Sequence, residues 1–414
     1  MLIYPGKVVN NFIDFVNKYG FLLVLIFCFG GFSPALYPKV GMMDLDLTSR
    51  IDSKSGNNMF KQLFWISLFF VYLLNFYYDK RRIFIKKHFN NAVIVFSLII
   101  SISFVSMLWS SFPSYVFKRT FFQLIFITVC ILSFYFSYKK NNVAQCIELC
   151  LYYMLFLILL TLIMGWGLTA DLSLAGYEKG KNILGINLVV IFILYTYFCN
   201  AKSVKNRFVI FSTLLTLVIL TQSKTCLLLL IVFFIFTQIK KKYIRIINLS
   251  LLCLLAFIFI VVPCVTYYAN SYMHIGLYVE PEFITGRGYI WDTIYYDLKF
   301  YKNIFLGYGY ASYFGTPEIP YFFDDSHSFL RYITSSHNGY LDLLIQFGVL
   351  SIPVTLLFAY IAKYIEGRVG NAAITIIIFH NVTEASFYRD NTVIWMLFLI
   401  VVAFSLVKKV KISE

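Results

Sequence analysis

His337 stands where a polar run, Ser335-Ser336-His337-Asn338, gives way to an apolar stretch, and it shares one helix face with Tyr340, Leu341 and Leu344. A histidine in that setting can accept a proton from a hydroxyl nucleophile at neutral pH, although a lone histidine is more often a structural hydrogen-bonder. Arg287 lies in Thr285-Gly286-Arg287-Gly288-Tyr289-Ile290-Trp291. Thr285 can cap a helix there, and Trp291, Ile294 and Leu298 continue an apolar face at helical spacing. Arg287 would then occupy the first turn, where unpaired amide donors already favour an anion. A solvated surface arginine is the competing reading. His380 and Glu384, four residues apart on another apolar stretch, make a second ionisable pair. Glu384 can orient a base or simply neutralise Arg389. Arg119, Lys179, Lys181, Lys224, Arg331 and Arg389 add positive charge suited to a diphosphate, because charge-assisted forks match phosphate oxygens. For any single one of these the alternative is a lipid-headgroup contact.

Other candidates are weaker. His88 sits in a basic loop and His274 in loop sequence without partners. Asp324, Asp325 and His327 could bind a cation or form a solvated turn. Cys146 and Cys150 share a helix face without nearby histidines and read as packing residues. A Walker-type glycine loop, a His-Glu-x-x-His helix and a paired-cysteine zinc signature are all absent from the sequence. The energy for any reaction must therefore arrive with an activated substrate.

The elements that position these residues follow from composition. The chain has 414 residues, 60% hydrophobic and only 13% charged, with mean hydropathy +0.77. A globular core cannot absorb that apolar excess, whereas a bilayer can. The net charge of +15 does not signal nucleic-acid binding, because most of the cations lie in short loops between apolar stretches and the usual basic modules are missing. Twelve such stretches occur, at 20–36, 59–78, 91–109, 120–136, 147–166, 183–198, 208–221, 225–239, 246–267, 339–361, 369–385 and 391–407. The expected fold class is all-α: a polytopic membrane protein of about 12 transmembrane helices with one long periplasmic loop. Lys and Arg concentrate in alternate loops, which puts both termini in the cytoplasm. The first stretch follows Lys7 and Lys18 and reads as an uncleaved anchor. The expected organisation is helices 1–9 over 1–269, the large loop with its amphipathic helix over 270–336, and helices 10–12 over 337–414. The stretches at 208–221 and 225–239 are short and joined by Gln222-Ser223-Lys224, so their turn should lie below the outer membrane boundary, with Lys224 as a submerged cation.

In this order the segments resemble the O-antigen ligase and Wzy-type polymerase superfamily. The resemblance is carried by Leu108-Trp109-Ser110-Ser111-Phe112-Pro113 with Arg119 after it, and by Gly176-Tyr177-Glu178-Lys179-Gly180-Lys181-Asn182-Ile183-Leu184-Gly185. Ser223-Lys224-Thr225, Gly286-Arg287 through Trp291, and Asn303 with Gly307-Tyr308-Gly309 follow. His337-Asn338, spaced from Gly348, completes the set. Family members often carry Arg where Lys224 stands, and Gly180 and Ser351 also depart from familiar patterns. The resemblance implies a glycan donor carried on undecaprenyl diphosphate at the periplasmic face of the bacterial inner membrane. It further implies Arg287, Lys224, Arg119, Lys181 and Arg389 as diphosphate ligands, and His337 as base with Glu384 beside it. Trp291 and Asn338 give support. The transfer should be inverting, with no cofactor and no metal. The Lys181-Asn182 segment and Ser351 favour a polymerase acting on an acceptor glycan, and the alternative is a ligase acting on lipid A–core. Membrane lipid and a chain-length regulator would be further partners. A glycolipid flippase is the reading from another class, disfavoured because no internal repeat is visible.

Overall fold

The computed structural model describes residues 7–39, 59–79, 83–199, 204–264, 287–300, 304–316 and 335–407. These are all-helical, apart from two isolated bridges, Phe84 to Val407 and Leu168 to Leu174. In chain order the helices are α1 (Lys7–Cys28), α2 (Met59–Tyr78), α3 (Lys86–Val105), α4 (Pro113–Lys139), α5 (Val143–Ile163), α6 (Lys181–Phe198) and α7 (Val204–Leu220). They continue with α8 (Lys224–Gln238), α9 (Lys241–Ala256), α10 (Arg287–Phe300), α11 (Gly339–Phe347), α12 (Ser351–Ala362), α13 (Arg368–Thr383) and α14 (Val393–Leu406).

Over the described residues each expected apolar stretch contains helix, although the one at 20–36 is helical only to Cys28 and the end of the one at 246–267 lies outside the described residues. Among the described residues eight helical segments are long and apolar enough to cross a bilayer, and α7, α8 and α14 are apolar but shorter. α1 begins at Lys7, well before the expected start at 20, because Asn11, Asp14, Asn17 and Lys18 interrupt the apolar run without breaking the helix. The long connection expected after α9 is described over α10, 304–316 and the two serines before His337. Thr285, Arg331, His274, the Asp324, Asp325 and His327 group and Asn303 lie outside the described residues, as do several of the loop cations used to orient the chain.

Two helices organise the interior. α4 packs against α1, α2, α3 and α14, and its residues from Ile125 to Ser137 are mostly buried. α14 is apolar around its whole circumference and buried almost end to end, as such a helix must be in a bundle core. α13 is the second hub, lying along α8 and α9 and touching α14. A polar seam joins α9 to α13: Asn248 donates to the Asn371 carbonyl at 2.9 Å and accepts from Thr375 at 2.7 Å. Inside an apolar bundle such pairs satisfy groups that lipid could not.

The segment 304–316 is held by two neighbours. Tyr308 N–H donates to the Ile345 carbonyl at 2.8 Å, and Val349 N–H to the Ile304 carbonyl at 3.1 Å. These backbones approach so closely that a Cβ on Gly348, at φ +56°, would lie 2.2 Å from the Ile304 carbonyl oxygen, so only glycine fits. On the other side Trp109 Nε1 donates to the Leu306 carbonyl at 2.8 Å, Ser110 meets Ser312 at 3.0 Å, and Ser106 Oγ accepts from Tyr310 N–H at 2.9 Å. The Leu108–Pro113 motif therefore serves to dock the Gly307-Tyr308-Gly309 motif.

Candidate active site

Glu384 is the centre of the site. It caps the C-terminal end of α13 in extended backbone, its N–H still bonded to the His380 carbonyl. One carboxylate oxygen, Oε1, accepts from Arg287 Nη2 at 2.8 Å. The other, Oε2, meets His337 Nδ1 at 2.9 Å. One carboxylate thus ties Arg287 of α10 to the turn before α11, across separations no local motif could bridge. The pairing sets the imidazole tautomer: Nδ1 donates to Glu384, so Nε2 carries the free lone pair. His337 and Glu384 are about one-third exposed and Arg287 less so, so the group is sheltered yet reachable. Burial alone would raise the Glu384 carboxyl, but the hydrogen bond from His337, with the charge of Arg287, outweighs it and holds the carboxyl below its ordinary value.

The backbone at His337 is unusual, with φ at +52°, a left-handed conformation that ordinary side chains rarely adopt. Both flanking residues are fully buried and clamped. Asn338 Oδ1 accepts from Tyr340 N–H and Leu341 N–H, each at 3.0 Å, which makes it the N-cap of α11. Its Nδ2 donates to the Val382 carbonyl at 3.2 Å. Ser336 N–H donates to Asp342 Oδ1 at 3.0 Å, and the Ser336 hydroxyl lies on the same oxygen. The Ser336 carbonyl accepts from Trp291 Nε1 at 2.9 Å, docking α10 onto the turn. Trp291 in turn packs edge-on against Phe259, which lies in a π-helical turn continuing α9 and stacks on Tyr340. The apolar face expected of α10 is present, with Ile290, Trp291, Ile294 and Leu298 buried.

α6 and α8 bring two more cations. Their first turns touch: a Cβ on Gly185 would meet Cys226 Sγ at 2.7 Å. α8 packs along α13, and the Cys226 thiol lies within electrostatic range of Glu384, so this corner is on the same side of the bundle as the Arg287–Glu384–His337 group. Lys181 begins α6 and Lys224 begins α8, and Arg287 is the first described residue of α10. A cation at a helix N-terminus opposes the helix dipole, so neither Lys181 nor Lys224 is there for helix stability. Two positive helix ends, each carrying a cation, favour an anion. Lys224 is exposed, whereas Lys181 is paired with Asp171.

The remaining candidates are placed as follows. Arg389 Nη1 lies 3.8 Å from Asp342 Oδ2. Arg119 is engaged elsewhere: its guanidinium donates to the carbonyls of Ala311, Phe314 and Gly315 and lies over the Tyr115 ring. His380 is buried, its Nδ1 3.3 Å from Ser386 Oγ, and Glu384 turns its carboxylate to His337 instead. Three contributors escaped sequence reasoning: Ser336, Asp342 and Asn381. Asn381 Oδ1 accepts from Ser386 N–H and Phe387 N–H at 2.8 Å each, fixing the chain just beyond Glu384. An amide inside an otherwise apolar helix was the available signal.

A helical bundle with eight bilayer-length helices among its described residues and an ion-paired arginine, glutamate and histidine at a helix junction defines an integral membrane protein with a polar site built between helices. Residues 208–359 match the family model described as O-antigen ligase, so the resemblance to the O-antigen ligase and Wzy-type superfamily holds over a stretch that includes Lys224, Arg287 and His337. No curated protein and no solved structure matches the chain.

Proposed function

We propose that the protein is a membrane glycosyltransferase that polymerises glycan repeat units carried on undecaprenyl diphosphate at the periplasmic face of the bacterial inner membrane. The observation that carries the reading is Glu384 bridging Arg287 and His337 at 2.8 and 2.9 Å. It sets a base beside a cation suited to a diphosphate leaving group. The hydroxyl oxygen of an acceptor sugar attacks the anomeric carbon of the donor, and its proton passes to His337 Nε2. The bond from that carbon to the diphosphate oxygen breaks, the electron pair leaving with the diphosphate, and Arg287 with Lys224 stabilises the charge as it develops. Attack opposite the leaving group inverts the anomeric centre. In this reading side-chain cations take the part a metal ion plays elsewhere. Arg119, with three carbonyls already on its guanidinium, contributes by holding 304–316.

The ligase alternative rests on the description of the matching family model, O-antigen ligase, and uses the same donor chemistry with lipid A–core as acceptor. A deletion strain separates the two. A single repeat left on lipid A–core with the long ladder gone supports the polymerase. Polymer accumulating on the lipid carrier with nothing attached to the core supports the ligase, and an unchanged ladder removes both. Complementation with Arg287→Ala should lower transfer about 10²–10³-fold, and with His337→Ala about 10²–10⁴-fold, while both proteins still insert. Near-normal glycan from either variant would cancel that residue's role.

A further inference from the structure

We propose that Asp342 is a positioning residue for His337, an inference that rests on His337 being the base. A non-glycine residue at φ +52° persists only where its surroundings over-determine it. Two clamps do so here, one on each side. Asn338 holds the chain after His337 through its cap of α11 and its bond to Val382. Before His337, Ser336 has its backbone N–H and its hydroxyl on a single oxygen of Asp342.

Asp342 is itself only 6% exposed. A buried carboxylate must be compensated, and here both of its oxygens have work: Oδ1 gathers Ser336, and Oδ2 faces Arg389 at 3.8 Å. α11 thus reaches back one turn to fix the residue that precedes its own cap. With Ser336 and Asn338 both fixed, the His337 backbone has one arrangement, and that arrangement aims Nδ1 at Glu384 and leaves Nε2 outward. Asp342 touches no reacting atom in this scheme. Its effect is on the direction of the imidazole.

The test uses the full-length protein in lipid vesicles supplied with a lipid extract of the deletion strain. Two quantities are read: the rate of glycan elongation, and the Kd for undecaprenyl diphosphate. Asp342→Ala should slow elongation about 100-fold, the scale of a misdirected catalytic group, with the Kd unchanged within about twofold. Asp342→Asn keeps an oxygen able to accept the Ser336 N–H and should recover about tenfold of that loss. Rates within about threefold of the parent for Asp342→Ala, a Kd that weakens in step with the rate, or an asparagine variant no better than alanine would each overturn the proposal. If Asp342→Ala does not reach the membrane, Ser336→Ala serves instead. It keeps the backbone bond to Asp342 and loses the hydroxyl's contacts with Asp342 and with the Asn338 backbone, and it should run roughly tenfold slow at unchanged Kd, whereas the parent's rate would sink the idea. His337→Ala is measured alongside. Full elongation by His337→Ala removes the base assignment; an inactive His337→Ala beside a fast Asp342→Ala removes the positioning role alone.

Discussion

Two carboxyls, Glu384 and Glu178, are shifted in opposite directions, and each shift makes a pH-dependent claim on stability. Glu384 is held below its ordinary value despite burial, because His337 and Arg287 favour its charged form. Its stabilising effect is therefore present above the unfolded value and is lost as pH falls through the folded one. Glu384→Gln should melt at lower temperature than the parent near neutral pH, with the gap closing below about pH 4. Glu178 runs the other way. It lies in the connection before α6, accepts from Asn187 at 2.9 Å and is pushed by burial up to about 7. The parent is most stable with Glu178 protonated and loses stability as pH rises from about 4.5 through about 7. Glu178→Gln should raise the melting temperature by a few degrees near pH 8 and leave it unchanged at the acid end; a uniform change across the range would contradict the assignment. At this scale the sequence displayed the candidate types: His337, Arg287, Lys224 and Glu384 all stood out as ionisable residues beside apolar stretches. Their union did not show, because Glu384 lies 47 residues from His337 and 97 from Arg287. The left-handed turn at His337 was equally hidden, since no glycine marks it. The partners of Arg119 were hidden for a simple reason: the carbonyls that receive its guanidinium belong to the backbone, which residue type does not disclose.

Among the elements, α11 and α13 meet at a point with no slack. A Cβ on Gly339 would fall 2.1 Å from Asn381 Oδ1, the atom that fixes the chain beyond Glu384. Gly339→Ala must therefore push α11 away or break the Asn381 bonds, an overpacking strain of about 1–3 kcal/mol. The expected result is lower yield of folded protein and glycan transfer lost in the fraction that remains. Full transfer at normal yield would show that the contact yields cheaply. Helices were the most legible level of the molecule, since length and hydropathy alone mark a bilayer-crossing segment. What could not be read was which helices are neighbours: α8 runs along α13 and α4 along α14, although long stretches of chain separate them. Helix starts were legible only where polarity changed abruptly, which is why the amphipathic opening of α1 was missed.

For the molecule as a whole, the described parts of α7 and α8 have 17 and 15 residues, or about 25 and 22 Å of helix, against a hydrocarbon layer of about 30 Å. They are joined by Thr221-Gln222-Ser223, with Gln222 in a left-handed turn, and Lys224 stands at the tip, on the same side of the bundle as Glu384. The depth of that tip is consequently tied to the acyl chains of the surrounding lipid. In phosphatidylcholine vesicles of graded chain length, elongation should be fastest in short-chain lipid and fall steadily in long-chain lipid, while binding of undecaprenyl diphosphate weakens in parallel. A flat profile would mean that neighbouring helices shield the hairpin completely. If the dependence holds, a cell that lengthens or saturates its fatty acids also slows the output of this glycan, so envelope sugar and membrane lipid are adjusted together without any dedicated regulator.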